Sequence, residues 1–332
     1  MRTATLIYNP FAGGRPLRRQ RHIQLAAAIL RDGGLAIRLA ETTAPGSATH
    51  QAREAAANGD DLVIVCGGDG TINEALNGLA PGNTPLAVLP GGTANILAKE
   101  IRLSHHPVRA ARQLMSWKPQ RVGLGLATEC DGAGSESGQG ARGRYFVCIA
   151  GIGFDAHIIR MLPNNWKLSL GVVAYAIEAV RQVFRYPFPV FSLMTGKEKH
   201  HASFVVIQRS RLYAGWLHLA RRYGIFQPDL SLSLFPSPSR WRYFLYSTAV
   251  LARFLPRDVR MIDSTLVECD PGRPDDIVYY ELDGELAGKL PAKFEFVPDA
   301  LTLMMPPELG PQQRQGRSSG RSVGRTQSPP LH

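Results

Sequence analysis

The sequence predicts an α/β chain in two parts: a three-layer N-terminal α/β domain built on a mostly parallel sheet, then a predominantly β domain. Three observations predict this. Residues 3–117 alternate short apolar strands with helical patterns. Beyond Pro119 the runs become short, β-rich and irregularly spaced. Every glycine-rich stretch of the first part falls at the carboxyl end of a strand, where open parallel sheets bind their ligands.

The elements follow in order. TATLIY (3–8) reads as a strand and RPLRRQRHIQLAAAILRD (15–32) as an amphipathic helix. LAIRLA (35–40) is a strand, SATHQAREAAAN (47–58) a helix and LVIVC (62–66) a buried strand. INEALNGL (72–79) is a short helix and PLAVL (85–89) a strand, followed by helical ANILAKEI (94–101) and PVRAARQLMSW (107–117). In the second part QRVGLGLATE, GRYFVCIAGIGF, PVFSLMTG, HHASFVVIQ, LSLSLFP, STLVECD, DIVYYELDGEL and AKFEFVP read as strands, interrupted by helices over 167–184 and 241–255. The segment 130–143 is a solvated loop. This divides the chain into 1–118, 119–306 and a tail, 307–332, whose Gly, Ser, Pro, Gln and Arg content cannot form a core and reads as disordered.

With 332 residues, 44% hydrophobic and 20% charged, the composition is that of a globular chain. The net charge is +11, of which residues 306–332 supply +3 through four arginines and one glutamate. The folded part therefore stays basic, which suits an anionic partner or serves solubility alone. Cys66, Cys130, Cys148 and Cys269 show no paired spacing, so free thiols in a reducing, cytoplasmic compartment are expected. The start MRTATLIYNP lacks a signal-peptide pattern. The charge-free window Leu79 to Ala98 is broken by Pro81, Pro85 and Pro90 and cannot be one spanning helix.

In Gly67-Gly68-Asp69-Gly70-Thr71 the glycines let backbone amides approach a ligand, and the helix that follows favours phosphate at its start. A carboxylate there repels phosphate unless a divalent cation bridges the two, and Asn73 and Glu74 stand in the first turn beside it. The competing reading is a left-handed turn capped by Asp69. YNPFAGG (8–14) and LPGGTAN (89–95) end neighbouring strands in the same manner. Three such loops at one sheet edge make a nucleotide pocket.

The order NPxxG, GGDGT-x-NE, PGGTAN, GIGFDA (151–156) and DGE (283–285) resembles the diacylglycerol kinase catalytic family, nearest to bacterial lipid kinases of the diacylglycerol, sphingosine and ceramide kinase type. The likeness covers residues 3 to 306. It implies ATP- and Mg2+-dependent phosphoryl transfer to a lipid hydroxyl, in a cleft between an α/β domain and a β-sandwich. By motif, Asn9, Gly67, Gly68, Asp69, Gly70, Thr71, Asn73, Glu74 and Thr93 would surround the nucleotide. ETTAPGSA (41–48) offers Thr42 at a further family position, with Thr43 its near competitor. Glu285 is the implied base and Asp69 the acid beside the metal; a plain Asp-Gly hairpin with an exposed Glu285 is the alternative. Asp155 enters as a cleft residue of no assigned role.

Two departures stand out. Ile96 takes the place of an aspartate after PGGTAN, and Tyr223-Gly224 replaces an Asp-Gly pair, so no metal ligand is assigned in the second domain. His105-His106 and His200-His201 lack partners at ligand spacing, and no G-x-x-x-x-G-K-[ST] occurs. The segments 211–224 and 241–257 mix Trp and Tyr with Arg, as segments at an anionic membrane do or as a core would. Peripheral contact with the inner face of a membrane is the partner expected besides the lipid, with no nucleic acid. The residues leave oligomeric state open, a homodimer included. The alternatives are a nucleotide- or lipid-binding regulator without turnover, and an NAD kinase, whose TPTGSTAY-like segment this chain lacks.

Overall fold

The computed structural model describes residues 2–13, 16–130, 143–162, 172–213, 224–251 and 256–309. The tail beyond 309, the loop 131–142 and most of the aromatic-basic segment 211–224 lie outside the described residues.

The first half has the expected rhythm: β1 (Arg2–Tyr8), α1 (Pro16–Asp32), β2 (Leu35–Glu41), α2 (Ser47–Ala57), β3 (Leu62–Gly67), α3 (Asp69–Leu79), β4 (Leu86–Pro90), α4 (Ile96–Glu100) and α5 (Pro107–Leu114). The four strands are parallel in the order β2-β1-β3-β4. Helix α1 packs on α5 and α2 on α3. The small side of α2, Ala48, Ala52 and Ala55, is fully buried, and Gly78 lets the backbones touch: a Cβ there would sit 2.3 Å from the Thr49 carbonyl oxygen. Helix α3 begins at Asp69, three residues before the apolar pattern does, so Asp69, Gly70 and Thr71 form its first turn.

The second half runs β5 (Lys118–Glu129), β6 (Arg144–Phe146), β7 (Ile149–Gly153), α6 (Phe154–Met161), α7 (Val172–Val183), β8 (Phe191–Thr195), β9 (Glu198–Ala202), β10 (Phe204–Gln208), β11 (Leu230–Phe235), α8 (Arg240–Leu251), β12 (Arg260–Ser264), β13 (Leu266–Asp270), β14 (Tyr279–Leu282), β15 (Glu285–Lys289) and β16 (Ala292–Met305). A six-stranded antiparallel sheet, β12-β11-β10-β7-β14-β15, faces the antiparallel end of the first sheet. Their core holds Ile152, Val205, Ile207 and Leu232 from one sheet against Phe146, Phe191, Val267 and Phe294 from the other. This is a sandwich.

The sheets are not confined to one half each. AKFEFVP reads as a strand that stops at Pro298, yet β16 continues to Met305. A bulge between Val297 and Leu301, with Asp299 at φ +47°, takes up the proline. Beyond it Leu303 pairs in parallel with Leu86 of β4, so the last strand closes onto the first domain. Of the cysteines, Cys66, Cys148 and Cys269 are buried, Cys130 is exposed, and all are free. No helix among the described residues is long and apolar enough to cross a membrane.

Gly125 of β5 lies under the Phe146 ring, where a Cβ would come within 2.1 Å of the ring. Gly125→Ala should therefore cost about 1–3 kcal/mol by overpacking. Urea denaturation checks it; an unchanged midpoint would contradict the packing described.

Candidate active site

Residues from both halves line a cleft of about 970 Å³. On the first domain's side it is walled by the strand exits at Asn9–Gly13, Thr42–Gly46, Gly68–Thr71 and Gly92–Ala94; on the other by Arg144, Ile149, Asp155, Glu281 and Asp283–Leu286.

The glycine loops are held against each other. The Gly91 amide donates to the Gly67 carbonyl at 2.7 Å, and a Cβ on Gly92 would lie 2.6 Å from the Gly68 Cα, so the Gly91-Gly92 loop has no room for a side chain at the contact. Asn9 forms an Asx turn, its Oδ1 accepting the Phe11 amide at 2.9 Å, and its Nδ2 donates to the Thr71 hydroxyl at 3.5 Å. Arg19, reaching in from α1 and nearly buried, donates to the Ala12 carbonyl (2.7 and 3.1 Å) and to the Gly91 carbonyl. Its charge thus stands behind two of the three loops. No motif marks it among the other arginines of its helix.

Asp69 clamps the middle loop to the next. Its two oxygens accept the amides of Asn95 (2.9 Å) and Ile96 (2.8 Å), while Asn95 holds a left-handed conformation (φ +47°) that its short polar side chain tolerates. Burial pushes the Asp69 carboxyl up to about 6, the two amides opposing the shift and the nearby Asp283 adding to it.

Asn73 and Glu74 line the cleft but spend their polar atoms on the protein. Asn73 donates to the Tyr145 carbonyl (3.0 Å) and to Asp283 (2.9 Å), and its oxygen accepts from Arg144 (2.9 and 3.1 Å). Glu74 accepts the Ala48 amide at 3.2 Å at the start of α2. Thr42, Thr43 and Thr93 all line the cleft; Gly67 does not, lying beneath Thr71.

The Asp-Gly pair is a two-residue hairpin turn, as the sequence suggests, with φ +51° and +90°. Its aspartate points inward. Asp283 is buried and accepts the amides of Val147 (2.9 Å), Cys148 (2.8 Å) and Ile149 (3.0 Å). The next residue, Glu285, crosses the cleft: a Cβ on Gly70 would sit 2.9 Å from its Oε1. The proposed base and the glycine loop are therefore in contact reach.

Glu281, Tyr175 and Tyr213 also line the cleft, and Asp155 accepts the hydroxyls of both tyrosines, that of Tyr213 at 3.0 Å. Nothing in the local sequence around these side chains, or around Arg144 and Asn77, marked them; only the resemblance pointed to Asp155. The described lining carries six carboxyl side chains (Asp69, Glu74, Asp155, Glu281, Asp283, Glu285) and one basic one, Arg144. A polyanion entering such a cleft needs a countercharge. No cluster of three or more His, Cys, Asp or Glu among the described residues could hold a metal unaided. The arrangement fits Mg2+, which ordinarily takes one or two carboxylates together with phosphate oxygens and waters.

Residues 3–127 match the family model for the diacylglycerol kinase catalytic domain. The diacylglycerol kinase of Bacillus subtilis is 32% identical over 186 residues, covering 55% of this chain and 56% of that protein, so the match spans little more than half its length. The diacylglycerol kinase of Mycobacterium tuberculosis H37Rv is 28% identical over 273 residues, covering 79% and 83%. In fold, a diacylglycerol kinase structure from Bacillus anthracis Sterne superposes with a TM-score of 0.69 at 21% identity over 92% of this chain and 97% of that one. A second chain from that strain gives 0.72 at 20%, over 92% and 95%.

The Asp69 assignment predicts a pH dependence. Its folded value of about 6 exceeds the ordinary 3.8, so its contribution to stability is fully present below about pH 4 and is lost as pH rises through 6. The two-unit shift corresponds to about 3 kcal/mol. Asp69→Asn cannot ionise, so wild-type stability relative to this variant should fall by that order between pH 4 and 7, read from urea midpoints at each pH. A difference that does not vary with pH would refute the buried carboxyl.

Proposed function

We propose that the chain is a lipid kinase of the diacylglycerol kinase family, which moves the γ-phosphoryl group of ATP onto a lipid hydroxyl within the cleft. The observation that carries this reading is the apposition of Glu285 with Gly70, a carboxylate facing bare glycine backbone at a helix start. Residues 1–118 serve as the nucleotide-binding unit and 119–306 as the substrate unit.

The amides of Gly68, Gly70, Thr71 and Thr93 receive the phosphates where the start of α3 favours negative charge. Arg144 adds positive charge from the opposite wall, and Asn9 and Thr42, with Thr43 beside it, complete the nucleotide's surroundings. Asp69 keeps the two glycine loops in register and lies within reach of a metal's water shell. Asn73 and Glu74 hold α3 from behind. Magnesium bound with the triphosphate supplies charge neutralisation at the transferring group. Glu285 accepts the proton of the lipid hydroxyl as its oxygen attacks phosphorus, because an unaided alcohol is a poor nucleophile.

Radiolabelled ATP offered with mixed lipid extracts tests this. Wild type should label a lipid product, and Glu285→Gln should slow that labelling by about 10²–10⁴-fold while still binding ATP. ATP binding with no transfer to any lipid would favour the regulator, and labelling of NAD+ the NAD kinase.

A lipid acceptor resides in a bilayer, so peripheral contact with an anionic, cytoplasm-facing membrane belongs to the same proposal. Supporting it, Ile177, Val180 and Phe184 form an exposed stripe along and just past α7, and Trp241, Phe244 and Leu245 another on α8. The two helices touch, and Arg181, Arg185, Arg240 and Arg242 are exposed beside the stripes. The protein should sediment with anionic vesicles at low salt, and a Trp241→Ala/Phe244→Ala variant far less so. Absence of sedimentation by the wild type would remove the membrane contact and leave the kinase reading standing.

A further inference from the structure

Behind the proposed base lies a pair of acids that the transfer step does not use. Glu281, on β14, is fully buried. Its Oε2 accepts the Gly284 amide at 2.6 Å, and its Oε1 has no hydrogen-bond partner. Across Gly151 it meets Asp155: a Cβ built on Gly151 would lie 2.7 Å from Asp155 Oδ2 and 2.8 Å from Glu281 Oε1. The groups that face Glu281 are Asp155 from α6, Asp283 from the turn, the Tyr213 hydroxyl, and the Gly284 and Gly151 amides, which oppose the rise of its carboxyl. No ion pair joins either carboxyl to a described lysine or arginine. Two carboxyls so placed favour a state with a proton between them, and that proton satisfies the orphaned Oε1.

We propose that Glu281 is a positioning residue: its carboxyl group, hydrogen-bonded to Asp155 through one oxygen and to the Gly284 amide through the other, locks the turn that aims Glu285 at Gly70. The inference rests on Glu285 being the base of the reaction proposed above. A side chain at position 151 would press against both carboxyls, so glycine is what lets them share this space.

The lock works while the proton is shared. Burial raises both carboxyls above their usual range, that of Glu281 well above it, with Asp155 adding to the shift. When that proton leaves on the alkaline side, two negative charges face each other over a glycine, and the turn is released. Turnover should therefore be highest below the pair's raised titration and decline above it.

The test uses Glu281→Gln, which keeps an oxygen for the Gly284 amide and cannot ionise, and Glu281→Leu, which keeps the volume and loses both contacts. Glu281→Leu should lower kcat for lipid phosphorylation by about tenfold with KM for ATP unchanged, through misplacement of the base. Glu281→Gln should keep most of kcat and lack the wild-type decline at alkaline pH. Amide hydrogen exchange over residues 279–289, read without turnover, should be faster in Glu281→Leu than in Glu281→Gln. Gly151→Ala, which drives a methyl between the carboxyls, should quicken it too and carries this arm if Glu281→Leu does not fold. Superimposable alkaline limbs in wild type and Glu281→Gln, or exchange unmoved by both Glu281→Leu and Gly151→Ala, would overturn the proposal. If wild type phosphorylates no lipid, the lipid-kinase reading fails, and the exchange measurement still decides whether Glu281 holds the turn.

Discussion

The buried carboxylate of Asp283 is the contact on which the rest of the site depends. It gathers three consecutive backbone amides where β6 gives way to β7, and takes a fourth hydrogen bond from Asn73 in α3. Hydrogen bonds to a charged group each contribute about 1.5–3 kcal/mol, and Asp283 gathers four of them. The glycine loops reach it through α3, the sandwich through residues 147–149, and the turn before Glu285 through its own backbone. One group thereby ties the glycine loops to the turn that carries Glu285. The carboxyl of Asp283 is raised by burial, the amides opposing that rise.

Much of the first domain was legible because its signals are local. Apolar runs such as LVIVC end in glycines, and the helices that follow show their period within a dozen residues. Less legible was the path of β16, where Pro298 reads as a stop and only pairing with β5 and β4 carries the strand through its bulge. In the site, glycine loops and an Asp-Gly turn could be read because backbone conformation limits which residues occupy them. The polar side chains were harder. Asn73 and Glu74 sit where nucleotide contacts were expected, yet Asn73 meets its partner 210 residues away. Arg19, Arg144 and Glu281 likewise act through contacts that no spacing announces.

Charge in this protein is segregated. The chain as a whole carries +11, while the cleft gathers six carboxyl side chains around one arginine. A basic exterior draws anionic surfaces. An acidic interior repels phosphate unless the polyanion arrives with its own cation. In the function proposed above, the two tendencies would serve different ligands: the outside a bilayer, the inside a metal-bound nucleotide.

The long antiparallel ribbon of β5 and β16 crosses from one half of the molecule to the other, and the polar seam of Asn73, Asn77, Arg144 and Tyr145 joins the halves a second time. With the ribbon as one attachment, the polar seam is what holds the halves against swinging apart. A clamshell motion would have to tear ladder bonds or strip buried amides of their partners. Opening the cleft beyond its present width therefore means breaking the hydrogen bonds of that seam.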